Sequence, residues 1–393
     1  MSYKYCILIH YHEISIKGDN RKWFENILIK NIKNHLVDLP YSSINLNAAR
    51  VFCFGIKIDL WHEYVSRLNC IMGVRHSTKM IQINSGLEKI KDATIEILKG
   101  TSFSTFRVST KRQYKDYKMT SQELNIEIGA FVQKQLNKNV NLKNPDINII
   151  IEIVKGMAYV GYKRVLSYGG LPVGSGEEAI SLISSGIDSP VASFEMIKRG
   201  VKLTYMHFHS APATNRQSIK NVEEIIKKLV HYQIDVNILF VPILEIQKAI
   251  MENSPNKFWV ILFRRAMIQL ACKWGLSIGA SALITGENVG QVASQTLSNI
   301  RAIDDASILP IIRPLAGYNK DDIVNRAKEI GTYEISIEPY QDCCSFFVPA
   351  HPVTKAKLNM VQMLESKINF NNLFSEAIDN SENKLFNLKT ILN

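Results

Sequence analysis

The feature that most constrains this chain is a short polar loop between an apolar run and a helical stretch. The apolar run covers residues 179–183, the loop reads SSGIDS over residues 184–189, and the helical pattern covers residues 191–199. Pro190 suits the first turn of a helix, where its missing N–H has no partner to lose. A polar loop at a helix N-terminus presents backbone N–H groups to an anion. The segment therefore predicts a phosphate-binding loop, and a capped turn without a ligand is the alternative.

The residues around this loop predict an open parallel sheet. Apolar runs over residues 203–208, 236–241 and 282–284 alternate with helical stretches, of which a long one covers residues 257–278. Such alternation is typical of parallel strands joined by crossover helices, and ligands bind at the carboxyl ends of these strands. The loop lacks the Gly-Lys-Ser/Thr ending of a Walker loop. Its carboxylate, Asp188, is the candidate to hold Mg²⁺ on bound phosphates.

The N-terminal half follows a different pattern, without regular alternation. Its segments are, in order, a strand at 5–11, a helix at 24–36, a strand at 51–60, helices at 61–68 and 87–98, a strand at 103–109, a helix at 122–136, and strands at 147–154 and 157–165. Thr120 and Glu123 match a capping box before the helix at 122–136. The Gly- and Pro-rich segment 167–176 predicts a domain boundary. We therefore expect a multidomain chain in which α+β units precede an α/β unit.

The charge of the chain points to a polyanionic partner. The 393 residues carry a formal net charge of +11, and the sequence pI is about 9.2. Each Lys or Arg near a phosphate releases condensed counterions, which favours nucleic-acid binding. No run approaches the roughly 20 consecutive apolar residues of a membrane helix. The apolar run at residues 5–9 is also too short for a secretory signal, so we expect a cytoplasmic protein with no membrane partner.

One stretch of the N-terminal half interleaves basic and aromatic residues. Its cations are Arg107, Lys111, Arg112, Lys115 and Lys118, with Tyr114 and Tyr117 between them. Cations in such a stretch contact phosphates, while the rings stack on unpaired bases. The stretch predicts an RNA-binding surface, and a solvated loop with its tyrosines packed beneath it is the alternative.

Several motifs occur in the order and spacing of one enzyme family. They are EISIKGDNR at 13–21, GLPVG at 170–174, HFHS at 207–210, RRAM at 264–267, TGE at 285–287, GQVASQT at 290–296, RPL at 313–315, GTYEIS at 331–336 and DCC at 342–344. Through them the chain resembles the tRNA 4-thiouridine synthetase (tRNA sulfurtransferase) family. The loop itself resembles the Ser-Gly-Gly-x-Asp-Ser loop of PP-loop ATP pyrophosphatases, with Ser185 in place of the first glycine.

This resemblance implies a fold and a nucleotide site. The implied domains are an N-terminal ferredoxin-like domain at 1–70, a THUMP RNA-binding domain at 71–166, a linker at 167–176, and a PP-loop domain with a doubly wound parallel sheet at 177–393. The implied ATP-binding residues are Leu182, Ile183, Ser184, Ser185, Gly186, Asp188, Ser189, His207, Phe208, Arg264, Gly286 and Gln295. Taken singly, His207 is also typical of a buried core histidine, and Arg264 of a surface charge. Serine at position 185 would be strained if the loop required a positive φ there.

The resemblance also implies a sulfur carrier. Cys344 occupies the family position for the thiol that holds a persulfide, and the adjacent Cys343 is the weaker candidate because vicinal disulfides are strained. The sequence ends at Asn393, so we expect the short form of the family, without the rhodanese domain that carries the persulfide in other members. Two alternatives stay open, namely a pair of buried structural cysteines and an iron–sulfur cluster on Cys272, Cys343 and Cys344.

The function that the resemblance implies is ATP-dependent sulfur transfer to tRNA. The uridine at position eight would be adenylated in the presence of Mg²⁺ and then converted to 4-thiouridine with sulfur from a cysteine desulfurase. Sulfur transfer to a carrier protein for thiamine synthesis is a second implied role, and both a monomer and a homodimer are compatible with the sequence. The alternatives are another PP-loop adenylating enzyme, which would lack this N-terminal half, and an RNA-binding protein with a decayed ATP site.

Overall fold

The computed structural model describes residues 3–113, 116–339, 347 and 351–392. The chain forms two compact units, Met1–Pro172 and Val173–Asn393. The division between them falls inside the Gly- and Pro-rich segment at 167–176, while the limits of the individual domains stay predictions. In the described part of the chain, no helix has the length and apolar character needed to cross a membrane.

The first unit combines one sheet with four long helices in its described residues. Its strands are β1 (Lys4–Tyr11), β2 (Ser43–Asn47), β3 (Arg50–Phe54), β4 (Val74–Asn84), β5 (Thr105–Arg112), β6 (Asn139–Val140), β7 (Ile147–Val154), β8 (Met157–Gly161) and β9 (Arg164–Leu166). Its helices are α1 (Arg21–His35), α2 (Trp61–Asn69), α3 (Leu87–Leu98) and α4 (Ser121–Leu136). The capping box at the start of α4 is confirmed, because Thr120 and Glu123 each accept a hydrogen bond from the other's backbone N–H.

The strands pair in the order β2-β3-β1-β4-β8-β7-β5-β6, with β9 paired to β4. Helices α1 and α2 pack on the β1–β3 part of the sheet, and α3 and α4 pack on the part that contains β5, β7 and β8. The predicted strand at 51–60 is wrong beyond Phe54, because Gly55 adopts a φ of +69° and turns the chain. The predicted strand at 157–165 is divided into β8, which pairs with β4 and β7, and β9, which pairs with β4.

The sheet of the first unit folds back on itself along the face that carries a cluster of buried strand residues. The rings of Phe52 on β3 and Tyr159 on β8 have centroids 4.7 Å apart. The guanidinium of Arg50 on β3 lies 3.0 Å from the carboxylate of Glu152 on β7. Neighbouring strands are about 4.8 Å apart, so strands separated by two or three others could not touch in a flat sheet. The Arg50–Glu152 ion pair thus joins the two halves of the unit.

We predict that Glu152→Gln lowers the free energy of unfolding of the first unit by about 3 kcal/mol, because it leaves the buried Arg50 guanidinium without its counter-charge. Glu152 is 1% exposed, and burial raises its pKa against the opposing effect of Arg50. Urea denaturation of the full chain, followed by hydrogen exchange in β1, β3 and β7, measures the loss. Asp38→Asn makes the same change in the exposed Arg67–Asp38 pair and should cost less than about 1 kcal/mol. Equal effects of the two variants would contradict the prediction.

The second unit is an α/β sandwich. Its strands are β10 (Glu178–Leu182), β11 (Lys202–His209), β12 (Asp235–Pro242), β13 (Ala282–Ile284), β14 (Ile311–Ile312) and β15 (Glu382–Asn387). Its helices are α5 (Asp188–Lys198), α6 (Gln217–Gln233), α7 (Leu244–Asn253), α8 (Trp259–Ser277), α9 (Leu297–Asp304), α10 (Lys320–Glu329), α11 (Tyr333–Ser336), α12 (Leu358–Glu365), α13 (Phe370–Asp379) and α14 (Leu388–Leu392). Ser181 of β10 contacts Ser193 of α5, while the neighbouring Ile180 packs in the cluster that contains α8, so these helices cover opposite faces.

The strand order in this unit is β14-β13-β10-β11-β12-β15. Strands β10 to β13 are parallel, as predicted, the unpredicted short strand β14 is parallel to β13, and β15 pairs antiparallel with β12 at the edge. The sequence does not predict β15, whose residues ENKLFN are mostly polar. The chain runs from β10 to β11 and β12 on one side and later to β13 and β14 on the other. This reversal places a ligand crevice at the carboxyl end of β10.

Candidate functional site

The predicted phosphate loop lies at this reversal point. It leaves β10 and enters α5, whose first residue is Asp188. The Ser189 hydroxyl accepts a hydrogen bond from the Ser184 N–H at 2.8 Å and lies 3.2 Å from the Ser184 carbonyl, to which it donates. The Gly186 N–H donates to the Ser184 hydroxyl at 3.3 Å. The loop is therefore closed by its own side chains, with the N-terminus of α5 directed at the end of the sheet.

Ser185 occupies its position without backbone strain. Neither Ser185 nor Gly186 adopts a positive φ, so this part of the loop does not require glycine. The Ser185 side chain is fully buried, and its hydroxyl has no hydrogen-bond partner within the described part of the chain. The departure from the Ser-Gly-Gly pattern therefore leaves the loop's backbone shape compatible with serine.

A cavity of about 250 Å³ opens beside the loop. It is lined by Leu182, Ile183, Ser184, Asp188, Ser189, His207, Phe208, Arg264, Met267, Ile268, Thr285, Gly286, Glu287, Gln295 and Ile303. The structure thus brings together ten of the residues predicted for the nucleotide site, from the ends of β10 and β11, the segment after β13, the start of α5, α8 and the turn at 293–295. Ser185 and Gly186 belong to the loop but do not line the cavity. Met267, Ile268, Thr285, Glu287 and Ile303 line it without having been predicted.

His207, at the end of β11, is a neutral hydrogen-bond acceptor in the cavity wall. Its Nδ1 lies 2.9 Å from the Ile183 carbonyl oxygen. A carbonyl oxygen can only accept a hydrogen bond, so Nδ1 carries the proton and donates it. Burial lowers the pKa of His207 to about 4, so the second nitrogen carries no proton at neutral pH. That nitrogen, Nε2, is buried and has no hydrogen-bond partner among the residues that the structure describes. An N–H or O–H of a ligand would satisfy it, and the Phe208 side chain adds an apolar surface beside it.

The opposite wall is charged. Glu287, just beyond β13, accepts a hydrogen bond from Arg264 on one carboxylate oxygen and from Arg313 Nε on the other at 2.6 Å. Arg313 also contacts both oxygens of Asp304, the last residue of α9. Glu287 and Arg313 lie within the TGE and RPL motifs, but no role is predicted for them from the sequence. A TGE triplet directly after a strand of a parallel sheet is the signal that could have found Glu287, because side chains there face the crevice.

Asp188 is bound from two directions by residues distant in sequence. Its carboxylate accepts hydrogen bonds from Lys320, the first residue of α10, at 2.5 Å and from Gln291 at 3.1 Å. Lys320 was not predicted, because nothing in the sequence relates it to a loop 132 residues away. The Lys320 side chain is 47% exposed, so its ammonium group is held by this ion pair and not by burial.

The phosphate loop offers one carboxylate that could hold Mg²⁺, the metal that the resemblance implies. No group of three or more His, Cys, Asp or Glu side chains that could hold a metal occurs in the described residues. Mg²⁺ at nucleotide sites is commonly held by one or two carboxylates together with the phosphates themselves. Asp188, partly exposed in the cavity wall beside the phosphate loop, supplies one such carboxylate.

Gly286 allows β13 and the phosphate loop to meet. A Cβ at this position would lie 2.6 Å from the Ser189 backbone nitrogen and 2.8 Å from its Cα. Real side chains do not tolerate such distances to backbone atoms, so any larger residue would displace the start of α5. Glycine is required here by close approach rather than by its φ angle.

Gly286→Ala should weaken nucleotide binding by roughly ten-fold to a hundred-fold. The added methyl group would clash with the phosphate loop, and such overpacking costs about 1–3 kcal/mol. Calorimetric titration with ATP measures the change. Gly317→Ala is the control, because a Cβ there has no neighbour within 4 Å. Unchanged ATP affinity in Gly286→Ala would show that the loop does not need this contact.

The remaining predicted residues are placed as follows. Cys343, Cys344 and Lys115 lie outside the described residues. Cys272 is buried on α8, with its sulfur 3.2 Å from the Ser307 hydroxyl. Lys111 at the end of β5 is exposed, as is Lys118.

The other predicted RNA-binding residues have local contacts. Arg107 on β5 is partly buried and lies 3.4 Å from the Leu142 carbonyl, while Arg112 donates to the carbonyls of Tyr117 and Met119. The Tyr117 hydroxyl donates to the Ser85 carbonyl at 2.5 Å and its ring packs on the core. For Tyr117 this favours the alternative of a tyrosine packed beneath the loop.

Comparison with known proteins adds to this geometry. The family profile described as "Thiamine biosynthesis protein (ThiI)" matches residues 174–370, the THUMP domain profile matches 84–163, and the ThiI ferredoxin-like domain profile matches 6–77. A protein of Thermoanaerobacter sp. (strain X514), named probable tRNA sulfurtransferase, is 40% identical over 96% of this chain and 98% of its own. A Staphylococcus epidermidis protein of the same name is 37% identical over 96% of this chain and 93% of its own.

The chain belongs to the tRNA sulfurtransferase family. It is accordingly an enzyme, a transferase, and the predicted family, enzyme class and fold of ferredoxin-like, THUMP and PP-loop domains are confirmed. A solved structure described as a 4-thiouridine synthetase–RNA complex with bound ATP agrees over 98% of this chain and 100% of its own, with a TM-score of 0.89 and 34% identity. The cavity beside the phosphate loop is thus the candidate active site of a member of this family.

Proposed function

We propose that this chain uses ATP to convert the uridine at position eight of tRNA into 4-thiouridine. The observation that carries the proposal is the cavity in which the phosphate loop, the neutral His207 and the charged pair Arg264–Glu287 converge. The similar solved protein is a 4-thiouridine synthetase with RNA and ATP bound, and the likeness spans both units of this chain.

In the first stage the nucleotide occupies the cavity with its base at the end of β11. His207 Nε2 accepts a hydrogen bond from the nucleotide, while Phe208 and the neighbouring aliphatic side chains exclude water from the base. The N–H groups at the start of α5 and the fork of Arg264 hold the phosphates. The uridine O4 then attacks the α-phosphate and pyrophosphate leaves, so a poor leaving oxygen becomes part of AMP.

Asp188 and Lys320 control the outer phosphates in this proposal. Asp188 would hold Mg²⁺, which supplies charge neutralisation for the departing pyrophosphate when it is bound. Lys320, whose side chain is partly exposed, would then leave its ion pair with Asp188 and bind the phosphates instead. The two residues start as partners, so the loop carries no uncompensated charge before the nucleotide arrives.

In the second stage sulfur replaces the activated oxygen. We propose that Cys344 carries a persulfide from a cysteine desulfurase and that its terminal sulfur attacks C4 as AMP leaves. A second thiolate then attacks the cysteine sulfur of the Cys–S–S–C4 bond, which releases 4-thiouridine and leaves a disulfide that a thiol reductant reduces before the next turnover. Cys343 is the second candidate for the carrier role. Sulfur transfer to a carrier protein for thiamine synthesis is a further proposal of the same chemistry. A low-pKa, accessible thiolate is the general requirement for such a carrier.

We further propose that the first unit binds the tRNA. Lys111 and Lys118 are exposed cations on the THUMP part of the unit, where they can reach a phosphate backbone. Arg107, Arg112 and Lys115 complete the proposed set. The domain limits 1–70, 71–166, 167–176 and 177–393 belong to this proposal, as does a homodimer in which one subunit presents the base to the other.

The reaction is tested by incubating unmodified tRNA with the protein, ATP, Mg²⁺ and sulfide. We expect 4-thiouridine at position eight by mass spectrometry of the digested RNA, with AMP and pyrophosphate.

Lys320→Met should lower the rate of AMP formation by roughly ten-fold to a hundred-fold. The reason is that the variant loses one charge-assisted contact to the phosphates, which contributes about 1.5–3 kcal/mol. Lys248→Met, which removes an exposed cation paired with Glu245, should have no effect.

The outcomes of this assay separate the alternatives. AMP and pyrophosphate without thiolated base would mean that the chain adenylates a different substrate. Neither product, with sulfide and tRNA in excess, would favour an RNA-binding protein without catalysis. Loss of ATP binding in Asp188→Ala would contradict that second alternative.

Cys344→Ala should abolish thiolation when cysteine and a desulfurase supply the sulfur, yet retain it with free sulfide, because sulfide bypasses the carrier. The measurement is the yield of 4-thiouridine with each donor. Cys343→Ala is the matched control and should retain more activity with the desulfurase. Equal loss with both donors would contradict a carrier role for Cys344.

A further inference from the structure

A chain of four alternating charges runs from the surface of the second unit to the cavity. Its members are Asp304, Arg313, Glu287 and Arg264, and each contacts the next. They come from four different elements, namely the end of α9, the residue after β14, the turn after β13, and α8. The side chain of Asp304 is 39% exposed, while those of Arg313 and Glu287 are 11% and 10% exposed. The chain of charges therefore passes from solvent through the protein to the cavity wall.

The two inner members of the chain are fixed from several sides. Arg313 donates through Nε to Glu287 at 2.6 Å and through Nη1 to Asp304 at 3.0 Å, while its Nη2 also contacts Asp304. The Glu287 oxygen that accepts from Arg313 also accepts from the Thr285 hydroxyl at 3.2 Å. Glu287 thus has a fixed position, and its second oxygen is available to Arg264 alone among its described partners.

Arg264 lines the cavity and keeps donors that Glu287 does not use. Its Nη1 is taken by Glu287, but its Nε is buried and has no hydrogen-bond partner in the described residues. An arginine side chain has several rotatable bonds, and holding it in one orientation costs conformational entropy. A fixed carboxylate that binds one nitrogen of the guanidinium removes that freedom before the ligand arrives.

We propose that Glu287, held by Arg313 and Asp304, is a positioning residue that presents Arg264 to a phosphate of the bound nucleotide. The inference rests on the proposed function, since it requires ATP in this cavity. Glu287 does not touch the phosphate, because its carboxylate would repel it. Its effect is transmitted through Arg264, whose free donors complete the phosphate site opposite the N-terminus of α5.

A double-mutant cycle tests this relay in the full-length chain. Glu287→Gln, Arg264→Gln and the double variant are titrated with ATP and with adenosine, which lacks phosphates. Each single variant should weaken ATP binding by roughly ten-fold, as expected when one hydrogen bond to a charged group is lost. The double variant should lose no more than Arg264→Gln alone, because Glu287 acts through Arg264. Adenosine affinity should stay unchanged in all three variants. A merely structural role of Glu287 would instead lower the affinity for both ligands.

Glu365→Gln is the matched control. It removes a carboxylate that binds Arg265, the next residue of the same helix, on a side of α8 that does not line the cavity. It should leave ATP affinity unchanged. The relay would be overturned if the double variant lost ATP affinity by the product of the two single losses, or if ATP and adenosine lost equal affinity. In either case, ATP binding by the unmodified chain would still support the proposed nucleotide site. An unmodified chain that binds no ATP would overturn both.

Discussion

The candidate site depends on the contact between the turn after β13 and the start of α5. Gly286 lies against the backbone of Ser189, at a distance that excludes any side chain. This contact sets where the N-terminus of α5 stands relative to the second wall of the cavity. A phosphate site needs N–H groups and cations at fixed positions, because donors that must reorganise bind more weakly. The close approach of two backbone segments provides that rigidity without any side chain.

Several charges that shape the two units are held in ion pairs. In the first unit the buried Arg50–Glu152 pair joins strands that are distant in the sheet. In the second unit Glu287 lies between two arginines, and Asp188 is paired with Lys320. Buried pairs contribute little net stability, but removing one partner is costly. Their value here is therefore geometric, since they fix how strands meet in one unit and where cations face in the other.

Much of the site could be predicted from the sequence, and the reasons are local. The loop at 184–189 and the capping box at Thr120 are encoded by neighbouring residues, so their patterns are visible without a structure. The family motifs alone predict His207 and Arg264 as residues of the nucleotide site, and both line the cavity. Lys320 was missed because its link to Asp188 spans 132 residues and no pattern connects them. Strand β15 was missed because an antiparallel edge strand has weak apolar alternation.

The sequence by itself determined the phosphate loop, the alternation of strands β10 to β13 with helices, and the family, since each rests on contiguous residues or on motifs in a fixed order. Only the tertiary structure decided that Ser185 is unstrained, that His207 presents an unprotonated nitrogen to the cavity, and that Glu287 is shared by two arginines. These properties depend on backbone angles and on contacts between elements that are far apart along the chain. A linear pattern cannot specify them, because the same residues in another packing would have other partners.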